Sequence, residues 1–237
     1  MVMGVGYNPR IVTDGLVLCL DAANKRSYPG SGTTWIDKVG GNDGTLIHMG
    51  ASNFSDDNGG SLVFDGANDY VTFGNVLNLS EITVSIWFKP DALTGRQFLI
   101  GKWESGKRAY HIVFNQSGFP SGTISSGITT DGQLATNVNC DVRNAITSTS
   151  EWYHICMTAD GNELSAYVDG KVGNVKSVGS PYTAGNAYLS IGTILFFSNT
   201  SPLDPANARI SNTSIYNRAL SAKEVLQNYE ATKGRYA

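Results

Sequence analysis

The sequence is poor in charged residues and in the side chains that build metal centres and disulfide frameworks. Only 16% of its 237 residues are charged, and it contains three cysteines and three histidines. Three cysteines cannot all pair within one chain, and Cys19 and Cys156 lie in apolar, strand-like runs, so we predict buried free thiols. The histidines, His48, His111 and His154, stand apart from one another, and no His-x-x-x-His or Cys-x-x-Cys spacing is present to bind a transition metal.

Clusters of positive charge and long apolar runs are also missing. The formal net charge is −3, and no run of Lys and Arg is interleaved with aromatic residues. Nucleic acids are bound by such basic surfaces, so we expect no nucleic-acid partner. No stretch of about 18 apolar residues occurs, and residues 1–10 lack the basic and apolar segments of a signal peptide. We therefore expect no membrane insertion, and folding in a cytoplasm without a signal peptide.

The sequence has no array of acids of the kind that cleaves glycosidic bonds. Glycosidases place two carboxyl groups about 5–10 Å apart, which a strand can do with acids at i and i+2 or i+4. No Glu-x-Asp-x-x-Glu or comparable array occurs, and there is no Gly-x-Ser-x-Gly nucleophile elbow. These absences predict that the protein is not an enzyme. A polysaccharide hydrolase or lyase with an atypical site remains an alternative.

One segment has a partial resemblance to a phosphate-binding loop. Gly101–Arg108 matches its first seven positions, but Arg108 replaces the hydroxyl residue that holds magnesium. An apolar, strand-like run follows where a phosphate loop would be followed by a helix. The segment is therefore predicted to be a hairpin turn.

The residues that are abundant indicate many strands joined by tight turns. The 27 glycines include six Asp-Gly pairs, a sequence typical of hairpin turns. Within Ile82–Pro90 every second residue is large and apolar, so this face should lie in the core. Asp160-Gly161 predicts a hairpin between its two neighbouring strands. The strands are predicted at Leu16–Ala22, Gly44–His48, Ser61–Asp65, Tyr70–Phe73, Ile82–Pro90, Gln97–Trp103, Tyr110–Asn115, Gly122–Thr129, Trp152–Ala159, Glu163–Asp169, Ala187–Thr193 and Ala208–Asn217.

One helix is indicated near the end of the sequence. Ser221 can cap it while Glu224, three residues later, reaches back, which is the capping-box pattern. The helix is expected to run from Ala222 to Lys233 and to end at Gly234. Its buried face is expected to contain Val225, Leu226 and Tyr229.

Seven segments occur in a characteristic order: Asp14–Asp21 (DGLVLCLD), Tyr28–Trp35 (YPGSGTTW), Asn42–Leu46 (NDGTL), Ser61–Val71 (SLVFDGANDYV), Trp152–His154 (WYH), Tyr167–Lys171 (YVDGK) and Ser214–Glu224 (SIYNRALSAKE). Together they resemble the laminin-G-like and concanavalin A-like lectin/glucanase jelly-roll domain, and in particular stand-alone structural proteins of tailed phages. The resemblance implies an all-β fold of two packed antiparallel sheets with one short C-terminal helix, as a single domain over residues 1–237. It also implies that a bound calcium ion is common, and that glycan or protein binding is frequent.

Two sets of candidate site residues follow. Calcium requires several oxygen ligands, and turn-rich Asp and Asn segments can supply them; the alternative is that these residues form Asx turns. The candidate calcium ligands within the family-like segments are Asp21, Asn42, Asp43, Asp65 and Asp69. A glycan site would present aromatic rings that stack on sugars, the alternative being simple packing. The candidate glycan-binding residues are Trp103, Tyr110, Phe119, Tyr182, Phe196 and Phe197. Three other tryptophans, Trp35, Trp87 and Trp152, are expected to be framework residues.

The resemblance and the missing catalytic motifs together predict a non-enzymatic virion structural or accessory protein. It would decorate a capsid, tail or fibre, and its partners would be other virion proteins and surface glycans. A particle assembled in the host cytoplasm and released by lysis displays such a protein on the virion surface without export. Repetition of the chain as a homo-oligomer would suit a symmetric particle. The alternative is a carbohydrate-binding module of a larger secreted protein.

Overall fold

In the computed structural model, which describes residues 9–179, 185–197 and 201–237, the alternating pattern of the sequence forms eighteen strands. Tyr182, one of the predicted glycan-binding residues, lies outside the described residues. The strands are β1 Leu16–Asp21, β2 Thr34–Trp35, β3 Gly44–Ile47, β4 Phe54–Ser55, β5 Ser61–Asp65, β6 Tyr70–Gly74, β7 Ile82–Pro90, β8 Gln97–Lys102, β9 Tyr110–Phe114, β10 Ile124–Thr129, β11 Asn137–Val142, β12 Tyr153–Ala159, β13 Glu163–Val168, β14 Lys171–Ser177, β15 Leu189–Ile191, β16 Ile194–Leu195, β17 Pro202–Leu203 and β18 Asn207–Tyr216.

The first sheet is antiparallel and has β7 and β18 at its centre. Its order is β14-β13-β12-β7-β18-β5-β4, and β1 pairs with the second half of β18. Ile82, Val84, Ile86 and Phe88 of β7 are fully buried in the main core. The core-facing alternation predicted for this strand is therefore confirmed.

The second sheet packs against the first and has the order β11-β10-β9-β8-β15-β6-β3-β2. Tyr110, Ile112 and Phe114 of β9 point into the shared core, whereas His111 and Val113 lie on the opposite side. Each sheet therefore has an inner face toward the core and an outer face away from it. The two-sheet antiparallel sandwich expected from the sequence is confirmed.

The sequence prediction missed six strands: the two-residue strands β2, β4, β16 and β17, and the longer β11 and β14. Both of the longer ones lie at sheet edges. β11 and β14 are rich in polar residues, and six of the seven residues of β14 are exposed. Their conformation depends on pairing with β10 and β13, so neither strand needs an apolar face of its own. By contrast, the predicted β12–β13 hairpin around Asp160-Gly161 is confirmed by antiparallel pairing along its length.

The C-terminal helix, α1, spans Ala222–Thr232 and begins with the predicted capping box. The Ser221 N–H donates to Glu224 Oε2 at 2.9 Å, and Ser221 Oγ accepts from the Glu224 N–H at 3.4 Å. The predicted end at Gly234 was wrong, since α1 stops at Thr232 and a 3-10 turn over Lys233–Arg235 follows.

The predicted buried face of α1 was wrong at Leu226, and Tyr229 is only partly buried. Leu226 is 43% exposed, and Asn228 is buried in addition to Val225. The side-chain oxygen of Asn228 accepts from the Val12 N–H at 2.8 Å, and its amide donates to Tyr216 Oη at 3.0 Å. Both polar ends of Asn228 are thereby satisfied, which makes its burial tolerable.

The remaining predictions about buried residues were confirmed except at one cysteine. Trp35, Trp87 and Trp152 are buried, as expected. All three cysteines are free, and Cys140 and Cys156 are buried, but Cys19 is only partly buried, so the prediction of burial was wrong for that residue. Among the described residues, no helix is both long and apolar enough to cross a membrane.

Candidate functional site

A small hairpin formed by β16 and β17 lies over the outer face of the second sheet. A Cβ atom at Gly101 of β8 would meet Ile194 Cγ2 at 2.6 Å, so a glycine is needed for this close approach. Ile194 also joins Phe98, Trp103 and Val113 in an apolar cluster separate from the main core. This cluster fixes the hairpin to the sheet.

The turn of this hairpin carries two adjacent aromatic rings. Phe196 and Phe197 contact edge to face, with ring centroids 4.6 Å apart, and Phe197 is 61% exposed. The Phe196 N–H donates to the Ser201 carbonyl at 2.9 Å, and the Phe196 carbonyl accepts from the Ser105 N–H at 3.2 Å. The backbone therefore holds the turn against the loop between β8 and β9.

Arg108, at the end of that loop, lies beside two of the aromatic rings. Its guanidinium carbon is 5.6 Å from the ring centroid of Trp103 and 5.7 Å from that of Phe196. Arg108 is only 6% exposed, and burial lowers the pKa of its guanidinium, which nevertheless stays charged at neutral pH. Within the described part of the chain, Arg108 has no carboxylate at ion-pair distance, and its Nε is buried without a hydrogen-bond partner.

His111 of β9 lies next to Trp103 and extends the site along that strand. Its ring meets the Trp103 ring edge to face, with centroids 4.4 Å apart, and burial lowers the pKa of the imidazole to about 3, assisted by the charge of Arg96. A Cβ atom at Gly127 would meet His111 Cε1 at 2.2 Å and Asn139 Oδ1 at 2.6 Å. Glycine therefore allows the neutral imidazole and the Asn139 amide to come together above β10.

A row of polar side chains extends the outer face toward the edge strand. Because Val138 and Cys140 of β11 pack toward the core, the alternate residues Asn137, Asn139 and Asp141 lie on the outer face. Considering only residues that the structure describes, Asn137 Oδ1, Asp141 Oδ1, Ser125 Oγ and His111 Nδ1 are buried polar atoms without a hydrogen-bond partner. We call the set Arg108, His111, Asn139, Phe196 and Phe197 the hairpin-turn site.

The structure brings three of the predicted glycan-binding residues together and separates two others. Trp103, Phe196 and Phe197 converge, but Trp103 is buried and supports Arg108 instead of presenting a free face. Tyr110 is fully buried in the core, so its prediction as a glycan-binding residue is corrected: in the alternation of β9 it points inward. Phe119 follows the opposite end of β9 and lies under the guanidinium of Arg143 at 5.1 Å.

The predicted calcium ligands are used in separate hydrogen bonds. Asp21 pairs with Arg235 at 2.9 Å, and Asp43 accepts from the Asp37 N–H at 2.8 Å, while the Asn42 N–H donates to Asp37. In residues 9–179, 185–197 and 201–237, no group of three or more His, Cys, Asp or Glu side chains is placed to hold a metal ion. Calcium needs six to eight oxygen ligands, and the five predicted donors do not fit a single such site.

Asp65 and Asp69 place two carboxylates in one turn. Burial raises the pKa of Asp69, the charge of Asp65 raises it further, and the Asn53 amide donates to its carboxylate at 2.8 Å. Although burial acts to raise it, the pKa of Asp65 is lowered because the N–H groups of Ala67, Asn68 and Asp69 donate to its carboxylate. Asp69 is buried and its carboxylate serves the turn, whereas Asp65 is exposed.

The sequence reasoning missed the polar members of the hairpin-turn site. Arg108 was considered only as the residue that breaks a phosphate-loop pattern, and His111 only as an isolated histidine. A signal was available for Arg108, since a charged residue directly precedes an apolar strand and follows Trp103 in the same loop. Asn139 carried no such signal, because β11 itself was not predicted.

Comparisons with known proteins give a family match and many structural matches. Residues 65–226 match the Laminin_G_3 family model, described as the concanavalin A-like lectin/glucanases superfamily. No curated protein sequence matches the chain. Domain 4 of AbnA, an extracellular arabinanase from Geobacillus stearothermophilus solved with arabinotriose, has 17% identity and a TM-score of 0.66, covering 90% of this chain and 98% of that one.

Two further solved structures cover longer proteins. The botulinum neurotoxin type G receptor binding domain has 16% identity and a TM-score of 0.62, over 92% of this chain and 51% of that one. Trypanosoma rangeli sialidase in complex with sialic acid has 17% identity and a TM-score of 0.65, over 100% of this chain and 36% of that one. The chain thus spans about half, or about a third, of these two proteins, and at such identities the likeness concerns the fold.

Proposed function

Because this chain belongs to the concanavalin A-like lectin/glucanase superfamily, we propose that it binds glycans without transforming them, at the hairpin-turn site. One observation carries the proposal. The aromatic turn Phe196-Phe197, in which Phe197 is exposed, lies beside the guanidinium of Arg108, which has no carboxylate partner among the described residues. This arrangement combines the exposed aromatic ring of Phe197 with polar groups that have no hydrogen-bond partner among the described residues.

The chemistry of sugars matches both parts of the site. Pyranose rings present C–H faces that pack on aromatic rings, and Phe197 is the exposed ring. Sugar hydroxyls both donate and accept hydrogen bonds, and the buried polar atoms of the outer face are stabilised when such partners arrive. The amide of Asn139 and the imidazole of His111 are the neutral groups that we expect to form hydrogen bonds with sugar hydroxyls.

The structural neighbours support binding of sugars in general. The AbnA domain is described in complex with arabinotriose, and the sialidase in complex with sialic acid. A botulinum neurotoxin serotype D ligand binding domain is described in complex with N-acetylneuraminic acid, at 15% identity and a TM-score of 0.63. These ligands belong to those proteins and are not all the same sugar. They therefore support sugars as the class of ligand and do not indicate a particular sugar.

Absence of catalysis is part of the proposal. Asp65 and Asp69 share a turn, but the carboxylate of Asp69 is buried against Asn53. Near the hairpin-turn site, the carboxylate of Glu104 pairs with Lys107 at 3.1 Å. A general acid and a nucleophile or base would both have to reach one glycosidic bond, which these positions do not favour.

We also propose that the protein works on the surface of a virus particle, together with other virion proteins. The ordered family-like segments, which resemble structural proteins of tailed phages, support this. The alternative role as a module of a larger secreted protein is favoured by the likeness to one domain of an arabinanase. Antibody labelling of purified particles distinguishes the two: the chain is a particle component in the first case and is absent in the second.

Glycan binding is tested with an array of neutral and acidic glycans probed with the purified chain. Phe197→Ala should weaken binding about 2- to 10-fold, the value of one aromatic contact, without loss of stability because the ring is exposed. Phe119→Ala is the matched control, since that ring lies at the other end of β9, and it should leave binding unchanged. Absence of binding to any glycan, or loss with Phe119→Ala alone, would contradict the proposal.

A further inference from the structure

We infer that the hairpin-turn site takes a sugar that carries a carboxylate, and that the guanidinium of Arg108 binds this carboxylate. The inference rests on the proposed glycan binding and narrows it to a chemical class of ligand. It is carried by the burial of Arg108 together with the absence of a counterion for it among the described residues.

The other partly buried arginines of the chain each have a carboxylate partner. Arg96 pairs with Asp204, Arg218 with Glu224, and Arg235 with Asp21, and these side chains, like that of Arg209, are 25–30% exposed. Arg209 lies between Asp57 and Asp91. Arg108, only 6% exposed, is more buried than these four arginines, and within residues 9–179, 185–197 and 201–237 it has no acid at ion-pair distance.

An unpaired buried charge is unfavourable, and no acid in the part of the chain that the structure describes pairs with Arg108. The loop that contains Arg108 also contains Glu104, but that carboxylate pairs with Lys107. Asp131, in the neighbouring loop, accepts instead from the Gln133 N–H at 2.8 Å and from Thr136 Oγ1. An incoming carboxylate would therefore supply the counterion that the described chain does not, in a site where water competes little.

The aromatic neighbours of Arg108 do not satisfy its N–H donors, and its Nε is buried without a hydrogen-bond partner among the described residues. Trp103 and Phe196 contact the guanidinium through their rings and accept no conventional hydrogen bond from its N–H groups. A guanidinium presents its donors as a planar fork that matches the two oxygens of a carboxylate. Arg108 thus carries N–H donors suited to a carboxylate beside an apolar wall formed by Trp103 and Phe196.

The distances favour an acid attached directly to a sugar ring. Phe196 contacts Phe197 at 4.6 Å and Arg108 at 5.7 Å, so the stacking surface and the charge are adjacent. Uronic acids and sialic acids carry their carboxylate one bond from the pyranose ring. One such sugar can therefore lie on Phe197 while its carboxylate reaches Arg108. His111, whose pKa is lowered to about 3 by burial, is neutral and does not compete for the anion.

The test compares sugars that differ in the carboxylate alone. Trigalacturonic acid and N-acetylneuraminic acid, each with its methyl ester, are titrated into the chain by calorimetry, with galactose oligomers as a neutral reference. At least one of the two acids should bind about 10- to 100-fold more tightly than its ester, the value of a charge-assisted pair. The two acids distinguish a uronic acid from a sialic acid as the ligand.

The variants are chosen to separate binding from folding. Arg108→Met keeps the length of the side chain and removes the buried charge, so it should fold with an unchanged or higher Tm and bind acid and ester equally. Arg143→Met is the matched control, because Arg143 also lies over a phenylalanine but is exposed, and it should keep the preference for the acid. Arg108→Lys keeps the charge without the fork and should lose several-fold in affinity for the acid.

A measurement on the unaltered chain keeps the inference testable if the methionine variant fails to fold. The side-chain Nε–H signal of Arg108 in an NMR spectrum, assigned by its loss in Arg108→Lys, should shift with the acid and not with the ester. Equal binding of acids and esters, or preference retained in Arg108→Met, would overturn the inference while leaving glycan binding intact. Absence of binding to acidic and neutral sugars alike would overturn the proposed function itself.

Discussion

The indole of Trp87 stacks on the phenol ring of Tyr236, with ring centroids 4.0 Å apart and 18° between the ring planes. Trp87 belongs to the central strand of the first sheet and Tyr236 follows the C-terminal helix, so the contact joins the outer face of that sheet to the last turn. Trp152 and Tyr229 complete the aromatic cluster, and the Trp87 indole N–H donates to Thr232 Oγ1 at 2.9 Å. The helix is therefore held by rings as well as by its cap.

Removal of the Tyr236 ring should destabilise the protein strongly. Tyr236→Ala empties a buried position in the aromatic cluster, which costs about 3 kcal/mol of the free energy of unfolding. Leu226→Ala, on the exposed side of α1, is the control and should change it by less than about 0.5 kcal/mol. Urea denaturation measures both. Similar stabilities for the two variants would show that the stack contributes little.

Lys102 should be a structural lysine whose removal is costly. Four oxygens surround its fully buried ammonium: Asn75 Oδ1 and Asn78 Oδ1, each at 2.7 Å, and the carbonyls of Gly185 and Ala187 at 2.8 and 2.7 Å. The three N–H groups of the ammonium are shared among these four acceptors. Lys102→Met leaves these four oxygens without their donor, so we expect a loss of about 3–5 kcal/mol in the free energy of unfolding.

The control for that variant is Lys176→Met, at an exposed position of β14, which should be neutral within about 0.5 kcal/mol. Thermal and urea unfolding of both variants give the comparison. A Lys102→Met protein as stable as the parent would mean that the four oxygens find other partners.

Acid should unfold the protein partly through its buried histidines. Burial lowers the pKa of His154 to about 3, and its Nε2 lies 2.7 Å from Ser85 Oγ. Unfolded histidine has a pKa near 6.5, so between about pH 6.5 and 3 the unfolded chain binds a proton that the folded chain does not. The contribution to stability is therefore present above this window and is lost as the pH falls, by up to about 1.4 kcal/mol per pH unit.

The comparison is made with His154→Gln, measured by urea unfolding at pH 7, 5 and 4. The variant should lose less stability between pH 7 and 4 than the parent, whereas His48→Gln, at an exposed turn position, should follow the parent curve. Parallel curves for all three proteins would contradict the assignment to His154.

Chelation of calcium should leave the fold unchanged. The carboxylates of Asp21, Asp43 and Asp65 hold separate turns or an arginine, and those hydrogen bonds need no metal ion. The Tm should therefore differ by less than about 1 °C between EDTA and millimolar calcium. A calcium ion bound at 100-fold its Kd would instead stabilise the folded chain by about 2.7 kcal/mol and raise the Tm by several degrees. A shift of several degrees, abolished by Asp65→Asn, would place a calcium ligand there after all.

Much of the fold was accessible from local patterns. Ser61–Asp65 and Ile82–Pro90 have the bounds that were predicted, because each has enough alternating or apolar residues to specify a strand by itself. The capping box at Ser221 and Glu224 involves only neighbouring residues, and it too was found. β11 and β14 were missed because their conformation comes from pairing with a neighbour.

The candidate site was predicted only in part. The sequence does not show which alternate residues of a strand face the core, or which residues far apart along the chain come into contact. Phe196 and Phe197 were identified because aromatic residues in a polar turn indicate an exposed surface. Tyr110 was misassigned because sequence alone did not reveal which residues of β9 face the core. Arg108 became a candidate only when its missing counterion could be seen.

The sequence by itself determined the alternation of the strands, the Asp-Gly turns and the start of the helix, since each depends on residues a few positions apart. Only the tertiary structure decided that the β16–β17 hairpin covers Gly101 and brings Phe196 to Arg108. That contact joins distant segments, and it forms because the order of strands in two sheets, set by burial of the whole core, places those loops side by side.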